Sequence, residues 1–295
     1  MRSTSTLLAL VFCLASNQAH AQQDFSKVEI QAEKLAPGLA MLRGAGGNIG
    51  VSYGPDGTIL IDDQFAPLTE KIQKAVRDLG ATPVKFLINT HWHFDHTGGN
   101  ENLGNAGALI MAHENVRVRM VEGASLAGNV VPPAPKAALP VITYSDGLKL
   151  FLNGDEVRVI HMPAGHTDGD SIIHWTKSNV IHMGDLFMFG ISFPFVDTSS
   201  GGNVRGLVSA ADKVLAIADE QTKIIPGHGG VARRSDLVNY RNMVAGVIAK
   251  VEAGIKEGKT LEEIKTARPA DGYGVKADGF ISADRFVETV YSIVK

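Results

Sequence analysis

The chain contains 295 residues, 44% of them apolar and 20% charged, which is enough to bury the core of one large or two small domains. Its 28 lysines and arginines against 31 aspartates and glutamates give a formal net charge of −3, so it lacks the basic surplus that nucleic-acid-binding proteins carry. The 32 glycines and 12 prolines fit a loop-rich α/β protein and exclude collagen-like and disordered classes.

The N-terminus has the pattern of a secretory signal peptide. Arg2 precedes an apolar run over residues 7–15, and Ala19-His20-Ala21 supplies the small residues that a signal peptidase recognises. The run is shorter than the roughly 20 residues that a membrane-spanning helix needs, so we expect no membrane span. We therefore predict a signal peptide over residues 1–21 and a periplasmic or secreted protein. Cleavage would also remove Cys13, the only cysteine, and with it any disulfide or thiolate chemistry.

The first part of the mature chain has the pattern of strands followed by one helix. Pro55-Asp56-Gly57 is a strong turn signal between two apolar segments. Apolar residues at helical spacing begin at Leu68 and stop at Gly80, which predicts a helix that ends there. The predicted elements are strands over 28–35, 39–43, 49–53 and 58–62 and a helix over 68–79.

After residue 80, predicted strands and helices alternate. The two strand-rich parts, each with its own helices, predict two sheets stacked between helical layers in a single domain over residues 22–295. Residues 123–140, with four prolines, and the aromatic-rich residues 186–196 are expected to form long loops. The further predicted strands are 84–89, 108–112, 148–152, 157–161, 172–175, 180–183 and 223–225, and the further helices are 204–218, 237–256, 261–267 and 283–294.

Three histidines and an aspartate lie within six residues, directly after the predicted strand 84–89. His91 and His93 are two residues apart, so their side chains can point the same way where the chain leaves the strand. Asp95 and His96 follow as the chain turns towards Gly98. A cluster of this density in a chain with ten histidines indicates metal ligands.

Three further ligand-type residues each follow a predicted strand and lie beside a glycine, where the backbone can bend sharply. They are His166, Asp185 and His228. Imidazole and carboxylate without thiolate suit Zn²⁺, with iron or manganese as alternatives. Because the whole set exceeds the three or four ligands that one zinc ion uses, we predict two Zn²⁺ per chain.

These motifs resemble those of the metallo-β-lactamase superfamily in order and spacing: H-x-H-x-D-H at residues 91–96, G-H-T at 165–167, G-D at 184–185 and G-H at 227–228. The resemblance covers nearly the whole mature chain. It implies the family's α/β fold, an αβ/βα four-layer sandwich in which two mixed β-sheets are flanked by helices, with the metals at one edge of the sheets. It also implies a metal-dependent hydrolase.

Carried over to this sequence, the resemblance implies two metal sites that share one ligand. A bridging hydroxide, generated because two metals lower the pKa of a shared water to about 7, would attack an amide or ester-type carbonyl. Asp95 would orient this hydroxide and is the predicted catalytic residue. No side-chain nucleophile is needed, and the chain has no G-x-S-x-G motif. His91, His93 and His166 would bind one metal, Asp95, His96 and His228 the other, and Asp185 would bridge both.

Other residues have weaker functional signals. Asp62, at the end of a predicted strand, matches the family's buried acid behind the metal-binding loop, with a simple turn cap as the alternative. His113 is expected to be a helix cap or a surface residue. The remaining candidates are expected mainly to pack: His161, His174 and His182 within strands, and Phe187, Phe189, Phe193 and Phe195, which could instead wall the site.

The predicted small-molecule substrate belongs to one of two classes. Export and a compact domain favour hydrolysis of a β-lactam ring, which is the first prediction. The family's dedicated β-lactamases typically carry Cys or Ser at the bridging position, whereas Asp185 is typical of its thioesterases and lactonases. A lactone or thioester hydrolase is therefore the alternative. A third hypothesis is a non-catalytic metal-binding protein. Such a protein would be expected to lose ligands, whereas all seven are present in this sequence.

Overall fold

The computed structural model describes residues 24–276 and 279–295, so the predicted signal peptide lies outside the described residues. Two β-sheets, one of seven strands and one of six, stack between helices, which confirms the predicted αβ/βα sandwich. None of the helices in the described ranges is long and apolar enough to cross a membrane.

In chain order the elements are β1 (Gln31–Ala36), β2 (Leu39–Arg43), β3 (Ile49–Gly54), β4 (Gly57–Ile61), α1 (Thr69–Asp78), β5 (Val84–Ile88), α2 (Phe94–Thr97), α3 (Asn100–Asn105), β6 (Leu109–His113), α4 (Glu114–Glu122), β7 (Ala124–Leu126), β8 (Asn129–Val131), β9 (Ile142–Tyr144), β10 (Gly147–Leu152), β11 (Asp155–His161), β12 (Ser171–Trp175), β13 (Val180–His182), α5 (Val204–Leu215), β14 (Lys223–Ile225), β15 (Ala232–Arg233), α6 (Arg234–Lys256), α7 (Leu261–Thr266) and α8 (Ala283–Val294). Strands and helices alternate between β4 and β7 and again from β13 to α6, whereas β1 to β4 and β7 to β13 are runs of strands.

The strand registers bring the ends of several strands to one edge of the sandwich. The N-terminal sheet has the order β1-β2-β3-β4-β5-β6-β9 and is parallel from β4 onward, with Ile61 paired to Ile88. The C-terminal sheet runs from β10 to β15, and its parallel pair β13 and β14 aligns His182 with Ile225. Because parallel neighbours end together, the loops that follow them leave the sheets side by side.

An apolar layer between the two sheets holds them together. Ile61 and Ile88 of the N-terminal sheet belong to the same buried cluster as Ile173 and Trp175 of the C-terminal sheet. Burying each such side chain contributes about 1.5–3 kcal/mol relative to leaving it exposed. Helices α5, α6 and α8 cover the outer face of the C-terminal sheet with a second, larger cluster. The strand ends are therefore supported by a packed core on both sides.

Most predicted elements are confirmed, with boundaries shifted by a few residues. The strand at 39–43 and the helix at 283–294 coincide with β2 and α8. Residues 123–140 differ from the predicted long loop, since they begin with the hairpin of β7 and β8. Each of these strands is three residues long, too short to show a period in the sequence.

Candidate metal centre

All seven predicted ligands lie together at the edge where strands of both sheets end. The N-terminal sheet provides the segment between β5 and the end of α2, which carries His91, His93, Asp95 and His96. The C-terminal sheet provides the loops after β11, β13 and β14, which carry His166, Asp185 and His228.

The ligand atoms form two groups, and His91, His96 and Asp185 make up a third set that joins them. His91, His93 and His166 are buried, and one ring nitrogen of each lies within 4.8 Å of the others. The Nε2 of His166 and the Nδ1 of His93 are only 2.8 Å apart. These three residues are the ones that the sequence assigns to one metal.

The second group combines a carboxylate with two imidazoles. The Nε2 of His228 lies 3.2 Å from Oδ2 of Asp95 and 3.3 Å from Nε2 of His96. Asp95 and His228 are partly exposed, whereas His96 is buried. This group therefore forms the solvent-facing side of the centre.

Asp185 lies between the two groups. Its Oδ1 is 3.1 Å from Nε2 of His96 and 3.5 Å from Nε2 of His228, while its Oδ2 is 3.7 Å from Nε2 of His166. The two oxygens of one carboxylate thus face different groups. This is the arrangement that a bridging ligand requires.

Hydrogen-bond partners outside the first group determine which ring nitrogens carry lone pairs. His166 donates from Nδ1 to the carbonyl of Phe195 at 2.7 Å, and His93 donates from Nε2 to Asp197 at 3.1 Å. Their other nitrogens, the pair 2.8 Å apart, therefore both present lone pairs to each other. Two facing lone pairs repel unless a cation lies between them, so the donor set fits a metal ion.

His91 is oriented in the same way. The hydroxyl of Thr90 donates a hydrogen bond to Asp62. The hydroxyl oxygen of Thr90 is therefore the acceptor for Nδ1 of His91, at 3.0 Å. The Nε2 of His91 is buried and has no hydrogen-bond partner among the described residues. A buried polar atom without a partner costs about 1–3 kcal/mol, which coordination of a metal would offset.

Asp62 anchors the loop that carries the second group. Its carboxylate accepts hydrogen bonds from the backbone N–H and hydroxyl of Thr90 and from Nδ1 of His96, at 2.7 Å each. It is fully buried and has a left-handed backbone with φ of 62°. Asp62 is therefore a buried acid behind the loop of candidate ligands and not a simple turn cap.

Burial and neighbouring charges shift the pKa values of the imidazoles, downward at His91 and His166 in the first group and upward at His228 in the second. Burial and the adjacent histidines hold the pKa of His91 well below its usual range, and burial together with His93 lowers the pKa of His166 to about 4. These rings stay neutral, the form that binds metal.

The second group stabilises positive charge. Burial disfavours a charged His228, but the carboxylates of Asp185 and Asp95 outweigh burial and raise its pKa to about 9. Burial likewise opposes ionisation of Asp185, yet His228 and His96 hold its pKa well below the usual range. A divalent cation satisfies this demand for positive charge more effectively than single protons do.

Asp197 is a supporting residue that the sequence analysis missed. It lies outside every motif, in the segment between β13 and α5, and its side chain is almost completely buried behind His93. Burial opposes its ionisation, but hydrogen bonds from His93 and Ser199 lower its pKa to about 2. An aspartate in a loop 104 residues from its partner leaves no local signal in the sequence.

The other candidate residues have the expected packing roles, and one of them also contacts the ligands. His113 caps α4 by accepting from the backbone N–H of Asn115, and His182 is buried. His161 stacks on His113, and His174 is only partly buried. Phe187 and Phe193 lie in the core, and Phe189 packs against it. Phe195 also packs against the core but contacts the ligands as well, since its ring centroid lies 5.6 Å from that of His166 and 5.9 Å from that of His93.

The comparisons with known proteins agree with this geometry. A family model described as the metallo-beta-lactamase superfamily matches residues 42–228. An acyl-coenzyme A thioesterase from Bos taurus is 24% identical over 206 residues, which cover 60% of this chain and 69% of the relative. A probable metallo-hydrolase from Methanocaldococcus jannaschii is 30% identical over 185 residues, or 60% of this chain and 84% of the relative.

A solved structure shares the fold at low sequence identity. The metallo-beta-lactamase from Pontibacter korlensis superposes with a TM-score of 0.63 at 17% identity, covering 74% of this chain and 99% of the other. The matched family model runs from β2 to His228 and so includes all seven residues of the centre. The chain belongs to the metallo-β-lactamase superfamily of metal-dependent hydrolases.

Proposed function

We propose that the protein is a dinuclear zinc hydrolase that cleaves an acyl thioester or a lactone. The observation that carries this proposal is the position of Asp185, whose two oxygens face both ligand groups. His91, His93 and His166 would hold one ion, and Asp95, His96 and His228 the other, with iron or manganese as substitutes for zinc. When bound, the two ions would supply an activated water at neutral pH and polarise the substrate carbonyl.

Side chains of this protein would accept the proton of the attacking water and orient the ligand imidazoles. Asp95 is the acid of the centre with the greatest solvent access, its side chain being 25% exposed, so its carboxylate can accept a proton from the attacking water as substrate enters. Asp62 and Asp197 hold the rings of His96 and His93 in the orientation that binding requires. The buried walls of the first group exclude bulk water from that side.

The substrate class follows from charge and from an apolar side chain beside the ligands. Asp185 adds a second carboxylate to that of Asp95 and so lowers the net positive charge of the centre, which weakens stabilisation of a strongly basic leaving nitrogen. Thiolates and alkoxides are less basic and need less of that stabilisation. Phe195, whose ring centroid lies 5.6 Å from that of His166, offers contact area to an apolar acyl group. The bovine thioesterase relative supports the same class.

Hydrolysis of a β-lactam is the second candidate, which a metallo-beta-lactamase type 2 from Bacteroides fragilis, 25% identical over 185 residues, and the N-terminal sequence favour. The N-terminal pattern of Arg2, an apolar run and Ala19-His20-Ala21 predicts export to the compartment where β-lactams reach bacterial proteins. The bridging Asp185 is the observation against it. Both candidates use the same metal centre, so substrate assays separate them.

The test compares three substrates on one preparation. The mature chain, residues 22–295, is loaded with Zn²⁺ and assayed with an acyl-coenzyme A, an N-acyl homoserine lactone and a chromogenic cephalosporin. We expect kcat/KM for the thioester or the lactone to exceed that for the cephalosporin at least tenfold, and chelation to abolish all activity.

The outcomes separate the two candidates. A cephalosporin preference would establish the second candidate instead. A protein that holds two ions yet hydrolyses none of the three substrates would contradict the proposal.

A further inference from the structure

His228 differs from the other histidines of the centre in how it is held. Each of His91, His93, His96 and His166 has an outer partner for its second ring nitrogen. In residues 24–276 and 279–295, no comparable partner holds Nδ1 of His228, whose contacts are made through Nε2. The position of this ring therefore depends on the backbone of its own turn, residues 226–229.

Asn48 holds that turn by three hydrogen bonds. Its backbone N–H donates to the carbonyl of Gly227 at 2.7 Å, and its side-chain Nδ2 donates to the carbonyls of Pro226 at 2.9 Å and Gly229 at 3.0 Å. Asn48 is only 3% exposed, so these bonds are shielded from water. Together they fix the backbone on both sides of His228.

The turn has little freedom to move without disturbing the centre. A Cβ atom at Gly227 would overlap Oδ1 of Asp185, so the backbone here lies directly against the bridging carboxylate. The carbonyl of His228 accepts from the backbone N–H of Phe189 at 3.1 Å, and Gly227 donates to the carbonyl of Phe187 at 3.0 Å. Asn48, between β2 and β3, adds the contacts that the N-terminal sheet makes to this turn.

Gly47, the residue before Asn48, connects this segment to the other half of the centre. The carbonyl of Asn48 accepts from Nε2 of His182 at 3.0 Å, and Gly47 donates its N–H to the carbonyl of Asp95 at 3.0 Å. The carbonyl of Gly47 accepts from Nε2 of Gln64 at 2.6 Å. Two consecutive residues therefore connect the loop of Asp95 to the turn of His228.

We infer that Asn48 is a positioning residue for the second ion, the one that Asp95, His96 and His228 would hold. It acts through His228 and does not affect the first ion, which the other group of histidines would hold. This inference rests on the proposed two-ion centre. The sequence offers no motif for it, because Asn48 lies about 180 residues from the turn that it holds. Loss of the side chain leaves the carbonyls of Pro226 and Gly229 without their donor and frees the ring of His228 to move.

The test measures the affinity of each ion in the loaded protein by competition with a chromophoric chelator, with Zn²⁺ as the probe. In Asn48→Ala we expect the second ion to bind about 10–100-fold more weakly and the first ion to bind as in the wild type. The milder Asn48→Ser, which retains one donor, is expected to show a smaller loss in the same direction and serves if Asn48→Ala does not fold. In a His228→Ala background, Asn48→Ala should change metal binding no further.

Asn179→Ala is the matched control. Asn179 also cross-links two loops through its side chain, to Asp219 and Thr222, but at the opposite end of β13. Its loss should lower stability and leave both affinities unchanged. The inference is overturned if Asn48→Ala binds both ions like the wild type or weakens both equally. A wild-type chain that binds one ion would instead contradict the proposed centre itself.

Discussion

The ligand imidazoles of this protein are oriented by atoms that do not face the centre. Asp62, Asp197 and the carbonyl of Phe195 accept from the outer nitrogens of His96, His93 and His166. Each acceptor directs the lone pair of the opposite nitrogen inward and raises its basicity. The donor set is therefore arranged by the fold before any ion binds, which reduces the entropy lost on coordination.

Replacement of the solvent-facing acid should separate catalysis from folding. In Asp95→Asn we expect kcat/KM to fall about 10²–10⁴-fold, because the amide cannot accept a proton from the attacking water. The free energy of unfolding should change little, since this side chain is partly exposed and isosteric with its replacement. Steady-state kinetics and urea denaturation measure the two effects. A variant that holds two ions and turns over like the wild type would show that Asp95 is not catalytic.

Replacement of Asp185, the proposed bridging acid, should shift the substrate preference. Asp185→Ser removes a negative charge, so the ion held by the second group becomes more electrophilic. This change accelerates most the reactions whose leaving groups are strongly basic. Under saturating zinc, we expect activity on the cephalosporin to fall about tenfold less than activity on the thioester, a difference of about 1.4 kcal/mol in barrier. The kcat/KM values for both substrates provide the measurement. Equal proportional losses would mean that Asp185 only holds metal.

At the residue scale, what the sequence could predict depended on local spacing. His91, His93, Asp95 and His96 lie within six residues, so the turn that brings them together is visible in the sequence. Asp197 and Asn48 were missed because their partners are 104 and about 180 residues away. Only the packing of distant loops decides such contacts.

At the scale of elements, the helices place the ligand loops by close backbone packing. Gly206 of α5 lies against the carbonyl of Ala164, in the turn that leads to His166, and a Cβ atom there would overlap that oxygen. The N–H of Asn203, which caps α5, donates to the carbonyl of Gly165 at 2.8 Å. The start of α5 and the His166 turn therefore form one unit.

Enlarging this contact should destabilise the protein despite the helical preference of alanine. In an open helix position Gly→Ala stabilises by roughly 1 kcal/mol. In Gly206→Ala we expect the free energy of unfolding to fall by about 1–3 kcal/mol instead, because the backbone must shift to accept the methyl group. Gly230→Ala, where no atom lies within 4 Å of the added carbon, is the control and should have little effect. Urea denaturation of both variants decides the sign, and a stabilised Gly206→Ala would contradict the packing described.

The hydrophobic period of each segment explains which helix and strand boundaries the sequence could predict. The amphipathic segment of α8 shows a clear period, and its predicted bounds agree with the structure to the residue, whereas the predicted ends of α1, α5 and α6 differ by one to three residues. The hairpin of β7 and β8 falls within the predicted loop because three-residue strands and the surrounding prolines obscure any alternation. The carbonyl of Ser125 in β7 accepts from the hydroxyl of Ser199, so this hairpin contacts the segment that carries Asp197.

At the scale of the whole molecule, neither sheet can form the centre alone. The N-terminal sheet supplies the run from His91 to His96, and the C-terminal sheet supplies His166, Asp185 and His228. The apolar layer between the sheets therefore sets the separation of the two ligand sets. The two strand-rich parts with their helices predict two sheets between helical layers, and the resemblance of the motifs to a known family adds the αβ/βα order and the position of the centre at one edge.

Export is a prediction at this scale. Expressed with its own leader in a Gram-negative bacterium, the protein should accumulate in the periplasm with an N-terminus at Gln22, because the small residues Ala19 and Ala21 precede that bond. N-terminal sequencing of the periplasmic fraction provides the measurement. A cytoplasmic chain that still begins at Met1 would contradict it.

Anomalous diffraction from crystals of the zinc-loaded mature protein, recorded at the zinc edge, tests the central claim most directly. The account predicts two peaks per chain, one among His91, His93 and His166 and one among Asp95, His96 and His228, about 3.5–4 Å apart with Asp185 between them. A single peak at the centre, or zinc bound only outside these seven residues, would contradict the claim that this chain builds a two-ion site.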